Sequence, residues 1–185
     1  MKADHTSNYL DNIRTLFRYY KSLGDSALAQ LDESQINYKL DENSNSISII
    51  VKHLSGNMLS RWTNFLQEDG EKPWRNRDEE FKETIHAKAD LLDHWEKGWT
   101  CLFQAIDPLS AENMDDIVYI RNEGHSLIEA INRQLGHYSY HIGQIVFLVK
   151  HSKSVHWKSL SIPKGASKDF NKEKFSSDKS RKNFI

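Results

Sequence analysis

Apolar residues recur at helical spacing in four stretches of this chain, separated by segments that are polar or contain glycine and proline. Over residues 6–31 the stripe is Ile13, Leu16, Phe17, Tyr20, Leu23, Ala27 and Leu31, which predicts a first amphipathic helix. The connector Asp41-Glu-Asn-Ser-Asn-Ser46 is rich in residues that cap helices. A second stripe, Ile47, Ile50, Val51, Leu54, Met58, Trp62 and Phe65, runs to about residue 67, where Gly70-Glu-Lys-Pro73 interrupts it. The third, over residues 78–106, carries Phe81, Ile85, Leu92, Trp95, Trp99, Leu102 and Ile106, and Asp107-Pro108 ends it.

Residues 110–114 predict one short turn and residues 116–120 an extended piece. Ser126 and Glu129 then form a capping-box signature that opens a fourth helix reaching about residue 150. That helix is apolar nearly all round, so it is expected to be the most enclosed of the four. The pattern predicts an all-α four-helix bundle over residues 1–170. An extended C-terminal segment follows at residues 157–162, with a polar, basic, mobile tail over residues 171–185.

Composition narrows this picture. At 185 residues with 38% hydrophobic content the chain can build one sizeable core. A mean hydropathy of −0.70 implies a strongly polar exterior. No apolar run is long enough for a membrane span, and the first residues lack the apolar core of a secretory signal. The single cysteine, Cys101, excludes an intramolecular disulfide and fits a reducing compartment. A cytoplasmic location is the expectation.

The net charge of −1 combines an acidic body with a basic C-terminal tail. Such a tail can bind nucleic acid or an acidic membrane, but an acidic body also attracts its own tail or that of a partner subunit. In the absence of a nucleic-acid motif, neither a nucleic acid nor a membrane is expected as a partner.

Candidate chemistry concentrates in histidines. His137 and His141, in the run His137-Tyr-Ser-Tyr-His141, stand one helical turn apart on one face. Two imidazoles so placed can hold a transition metal, and a third ligand would leave a coordination position open. His53 is the obvious third, sharing its face of the second helix with Ile49, Gly56, Asn57 and Ser60. Small neighbours leave room for a ligand or water. The competing reading is that all three are surface or hydrogen-bonded core histidines, since spacing alone does not show that the second and fourth helices meet.

Other metal schemes do not fit. A carboxylate-bridged dinuclear bundle needs two Glu-x-x-His motifs facing inward, and only Glu83-Thr-Ile-His86 has that form, opposite the apolar stripe. The His-Glu-x-x-His protease pattern, the phosphate-binding glycine loop and the Gly-x-Ser-x-Gly elbow are all missing. Three neutral histidines would preserve the full charge of a divalent ion such as Zn, Ni or Fe.

Several longer segments carry a family resemblance. They are Phe17-Arg-Tyr-Tyr-Lys-Ser-Leu23, Val51-Lys-His-Leu-Ser-Gly-Asn-Met-Leu-Ser-Arg-Trp62 and Asp69-Gly-Glu-Lys-Pro-Trp-Arg-Asn-Arg-Asp78 in the first half. Tyr119-Ile-Arg-Asn-Glu-Gly-His125, His137-Tyr-Ser-Tyr-His-Ile-Gly-Gln144 and Trp157-Lys-Ser-Leu-Ser-Ile-Pro-Lys-Gly165 continue them. Together with a histidine in helix two and His-x-x-x-His in helix four, they resemble the DinB/YfiT-like superfamily, most closely a bacterial branch carrying a domain of unknown function. The likeness covers residues 9–170. It implies an up-down-down-up four-helix bundle, often dimeric, with a divalent ion on His53, His137 and His141. Some members of the superfamily use low-molecular-weight thiols such as bacillithiol or mycothiol for S-transfer or isomerisation.

Two functions follow as expectations. One is a metal-dependent enzyme, a thiol S-transferase-like transferase or a hydrolase, acting on a small molecule. Arg75, Arg77 and Arg121 would neutralise an anionic substrate, and Asn57 and Gln134 would orient ligand rings or water. The other is a non-catalytic dimeric binding or stress-response module with a structural or vestigial metal. Five tryptophans, Trp62, Trp74, Trp95, Trp99 and Trp157, exceed what one small bundle needs and point to a homodimer built on helix faces.

Overall fold

Ser46 ends the polar connector and starts the second helix, its hydroxyl accepting from the backbone N–H of Ile49 at 3.4 Å. Ser126 does the same for the fourth. Its Oγ accepts from Glu129 N at 3.3 Å while Glu129 Oε2 accepts from Ser126 N at 2.9 Å, so the expected capping box is formed. In the computed structural model, which describes residues 5–180, the long helices are α1 (His5–Leu28), α2 (Ile47–Trp62), α3 (Lys88–Ile106) and α4 (Leu127–Lys153). A short α5 (Ser167–Phe175) follows. The described chain is mostly helical with one small antiparallel sheet, β1 (Ile117–Ile120) and β2 (Glu123–Ser126).

Each long helix touches two others, in the closed order α1–α4–α2–α3, with α2 against α3 and α1 against α4 the most extensive pairs. The core between them holds Phe17, Leu28, Leu54, Met58, Trp95, Trp99, Leu102 and Tyr138, all essentially inaccessible. Several buried polar tips are paired, although Trp99 Nε1 is not. Trp62 Nε1 donates to Tyr138 Oη at 2.9 Å, Tyr138 Oη donates to Asn57 Oδ1 at 3.1 Å, and Trp95 Nε1 donates to Asp25 Oδ1 at 2.6 Å.

Two expectations are corrected. The third helix begins at Lys88 rather than near residue 78; Asp78–Phe81 is a single 3₁₀ turn. The carbonyls that would continue a helix there are taken by side chains. Lys52 Nζ donates to Glu79 O at 2.6 Å and Lys82 O at 3.3 Å, and Asn37 Nδ2 donates to Ile85 O at 3.1 Å. The most enclosed helix is α2, with 13 of 16 residues buried, against 9 of 27 in α4. Its serines and Asn57 break the apolar pattern, yet they are covered because the segment after α2 folds back along it. Ser60 Oγ, for example, donates to Gly70 O at 2.9 Å and accepts from Lys72 N at 3.1 Å. Residues 157–166 form neither helix nor strand, and α5 after them buries no residue.

The hairpin lies where an extended piece was expected. Arg121 and Asn122 at its tip have consecutive positive φ values of 56° and 62°, as a two-residue type I′ turn requires. Asp69 secures this tip to the end of α2, its carboxylate accepting from Arg121 N at 2.9 Å and Asn122 N at 2.8 Å. The loop of residues 63–87 and the hairpin therefore form one polar collar over the end of α2 and the start of α4.

Candidate metal centre

His53 lies on the face of α2 that packs against α4, with its ring meeting those of His137 and His141 across that contact. The Nε2 atoms converge: His137 to His141 is 3.1 Å and His53 to His137 is 3.4 Å. All three ligand atoms lie within 4.8 Å of one another, forming a group that could hold a metal ion. Nitrogens bound at about 2.0–2.1 Å to a tetrahedral ion stand about 3.3 Å apart, so two of the separations already match a coordination edge.

Hydrogen bonds on the far sides of the rings fix their tautomers. His53 Nδ1 donates to Glu80 Oε2 at 2.9 Å, and His141 Nδ1 donates to Gln144 Oε1 at 2.7 Å. Gln144 Nε2 in turn donates to Tyr140 Oη at 3.1 Å, which keeps its oxygen toward the ring. With Nδ1–H committed, the Nε2 lone pairs of His53 and His141 point inward, the arrangement a metal takes. Burial pushes His137 down to about 3, with further contributions from His141, His53 and the charges of Arg61 and Arg75. Burial lowers His141 too, partly offset by its bond to Gln144. Both are therefore neutral near pH 7 and available as ligands.

Glu80 was not singled out in the sequence. It is buried, and burial alone would raise its pKa; the hydrogen bonds from His53 and Arg75 and the Arg75 charge outweigh that and hold it low. Arg75 grips it as a fork, Nε to Oε1 at 2.8 Å and Nη2 to Oε2 at 2.9 Å. Gly56 makes the approach possible, since a Cβ there would stand 2.3 Å from Glu80 Oε1. Phe81, next along the same turn, lays its ring 5.0 Å from that of His53. The only sequence signal for Glu80 was an acidic residue beside a proline-containing loop, and nothing local ties it to a histidine 27 positions earlier.

The remaining candidates take other places. Arg77 lies over the Phe81 ring at 5.1 Å, and Arg121 pairs with Glu71 at 3.2 Å. Asn57 accepts from Tyr138 in the core, and Gln134 is buried one turn before Tyr138 with its Oε1 unpaired. Arg75 thus reaches the centre only through Glu80.

These features define a helical protein with a collared three-histidine group between two helices. The model of the family described as "Protein of unknown function (DUF1572)" matches residues 4–166, and the chain belongs to that family. The matched region contains all three histidines and the whole collar, and ends just before α5. A search of curated proteins finds no match.

Proposed function

We propose that this protein is a metal-dependent enzyme on a four-helix bundle of the DinB/YfiT-like type, with a divalent transition ion (Zn, Ni or Fe) on His53, His137 and His141. The convergence of three inward-facing Nε2 atoms carries this reading. The donor set fits, being three imidazoles, two of them locked as the Nδ1–H tautomer and His137 held neutral by burial. When bound, such an ion supplies Lewis acidity that deprotonates a coordinated thiol or water near neutral pH.

The chain's own residues set up that chemistry. Glu80 and Arg75 keep the His53 ring from turning, Gln144 does so for His141, and Phe81 shields His53 from solvent. The reaction we favour is S-transfer from a low-molecular-weight thiol. The sulfur bonds to an electrophilic carbon, whose leaving group departs with its electron pair while the thiol proton passes to solvent. We place the working unit as a homodimer on the exposed face of α4. Trp62, Trp95 and Trp99 belong to the protomer's own core, so the apolar surface supporting a dimer is Tyr140, 62% exposed, and Phe147, 55% exposed.

The test is metal analysis of protein purified without a histidine tag, followed by transfer assays pairing a bacillithiol-type thiol with an electrophilic acceptor. One equivalent of metal per chain and metal-dependent transfer are expected. Stoichiometric metal without transfer across a broad acceptor panel would leave the non-catalytic module as the better reading, and absence of metal binding would overturn the site.

A further inference from the structure

Lys52 immediately precedes His53 on α2, and its ammonium is fully engaged. Nζ donates to Glu79 O at 2.6 Å, Thr84 Oγ1 at 2.7 Å and Lys82 O at 3.3 Å. These uncharged acceptors take all three donors of the group. An ammonium on a flexible stem is strongly hydrated, so a complete set of protein acceptors on one short stretch makes a specific tether. The acceptors bracket Glu80 and Phe81, the two residues of that stretch whose side chains meet the His53 ring. Glu79 O also accepts from Lys82 N at 3.3 Å, which closes the turn around them.

Little else seats this stretch on α2. Glu79, Lys82, Glu83 and Thr84 are exposed, so apolar burial presses it down only weakly. Among the described residues, no other side chain from outside the loop bonds the backbone of residues 79–84. The Arg75 fork orients the Glu80 carboxylate, but both residues belong to the same loop, so that clamp closes the loop on itself. Lys52 and Gly56 stand one turn apart on one face of α2. Gly56 leaves the space for Glu80 Oε1, and Lys52 holds the backbone that delivers it there.

We propose that Lys52 is a positioning residue for the three-histidine centre: its ammonium seats the Asp78–Phe81 turn on α2, so that Glu80 holds the His53 ring with Nε2 turned toward His137 and His141. The consequence for metal binding rests on the proposed metal-dependent function; the orientation of the ring does not. Charge and tether predict opposite signs. A positive charge one residue from a ligand repels a divalent ion, so by charge alone its removal strengthens metal binding. A tether that aims the ring makes the same removal weaken it.

The test compares the full chain with Lys52→Met, which keeps an aliphatic stem and loses the donors. Two readings are taken: the His53 tautomer in the chelated protein, from proton–nitrogen correlation spectra of labelled histidines, and zinc affinity by chelator competition. Wild-type His53 is expected to carry its proton on Nδ1, and Lys52→Met to shift it toward a mixture with the Nε2–H form. Zinc affinity is expected to fall about 3–10-fold, less than on removal of the direct partner Glu80. A merely structural clamp moves neither reading in a protein that stays folded. Unchanged or tighter zinc binding, or no difference in tautomer between the two proteins, overturns the proposal. If Lys52→Met fails to fold, Lys52→Gln, too short to reach the turn, decides by the same readings. If the wild-type chain takes up no zinc, the proposed enzyme falls, and the tautomer comparison still decides the role of Lys52.

Discussion

Glu80 Oε2 accepts from His53 Nδ1 at 2.9 Å, and the same carboxylate is clamped by the Arg75 fork. A turn of the loop after α2 thus sets the direction of a ring on α2 itself. Glu80→Gln keeps an acceptor near the ring but drops the charge. We expect metal affinity to fall about 10–100-fold with the fold intact, measured by competition with a chromogenic chelator. Glu80→Ala is harsher, because it leaves buried Arg75 with only its 3.5 Å contact to Glu71 and His53 Nδ1 without an acceptor; a loss of up to about 3–5 kcal/mol in urea unfolding is expected. Wild-type affinity in Glu80→Gln would show that the pair is only structural.

Gly56 tests the same relationship without touching a charged group. Ala at this position puts a methyl 2.3 Å from Glu80 Oε1, so the carboxylate must move. A cost of about 1–3 kcal/mol and weaker metal binding are expected together. Calorimetric titration with zinc and urea unfolding check the two effects separately.

His141 is half-buried at the edge of the α2–α4 contact, away from the central core. His141→Ala should therefore abolish metal uptake and transfer while leaving the helical circular dichroism unchanged. Cys101→Ser is the contrasting control. Its thiol sits between Thr63 Oγ1 at 3.6 Å and Met58 O at 3.9 Å, so activity should persist. Loss of activity in Cys101→Ser with metal still bound would move the chemistry elsewhere.

The low pKa of His137 has a stability consequence in the metal-free protein. Its folded value is about 3 against 6.5 for the free side chain. Between those values the unfolded chain holds a proton that the native state does not, so stability rises with pH across this window. The contribution is fully present above about 6.5 and is lost progressively as pH falls toward 3; His141, also lowered, has the same sign. Urea midpoints of the chelated protein at pH 5 and pH 8 should differ, and the difference should shrink in His137→Gln. An unchanged difference would place the acid sensitivity in other groups.

The exposed pair Tyr140 and Phe147 predicts the assembly. Light scattering at micromolar concentration should give twice the 21.6 kDa chain mass, and Tyr140→Glu with Phe147→Glu should reduce it to one chain. A wild-type mass near 21.6 kDa would exclude the dimer.

The four long helices are legible from the chain alone, because periodic apolar stripes and local caps such as Ser46 and Ser126 act within a few residues of where they stand. That His137 and His141 share a face is legible too, since helical spacing alone places i and i+4 together. That His53 meets them depends on how α2 and α4 pack, which no local pattern encodes. Glu80 on His53 and the three arginines around Glu71 arise from a loop folding back over α2 and a hairpin pinned by Asp69. The misplaced start of α3 and the unexpected enclosure of α2 have the same origin. Side chains from distant positions, Lys52 and Asn37 among them, take carbonyls that the local pattern assigned to a helix, and polar α2 residues are covered by chain that the pattern left in solvent. Hydrophobic periodicity reports one element's own face; which partner covers it, and which charges meet, is settled by long-range packing.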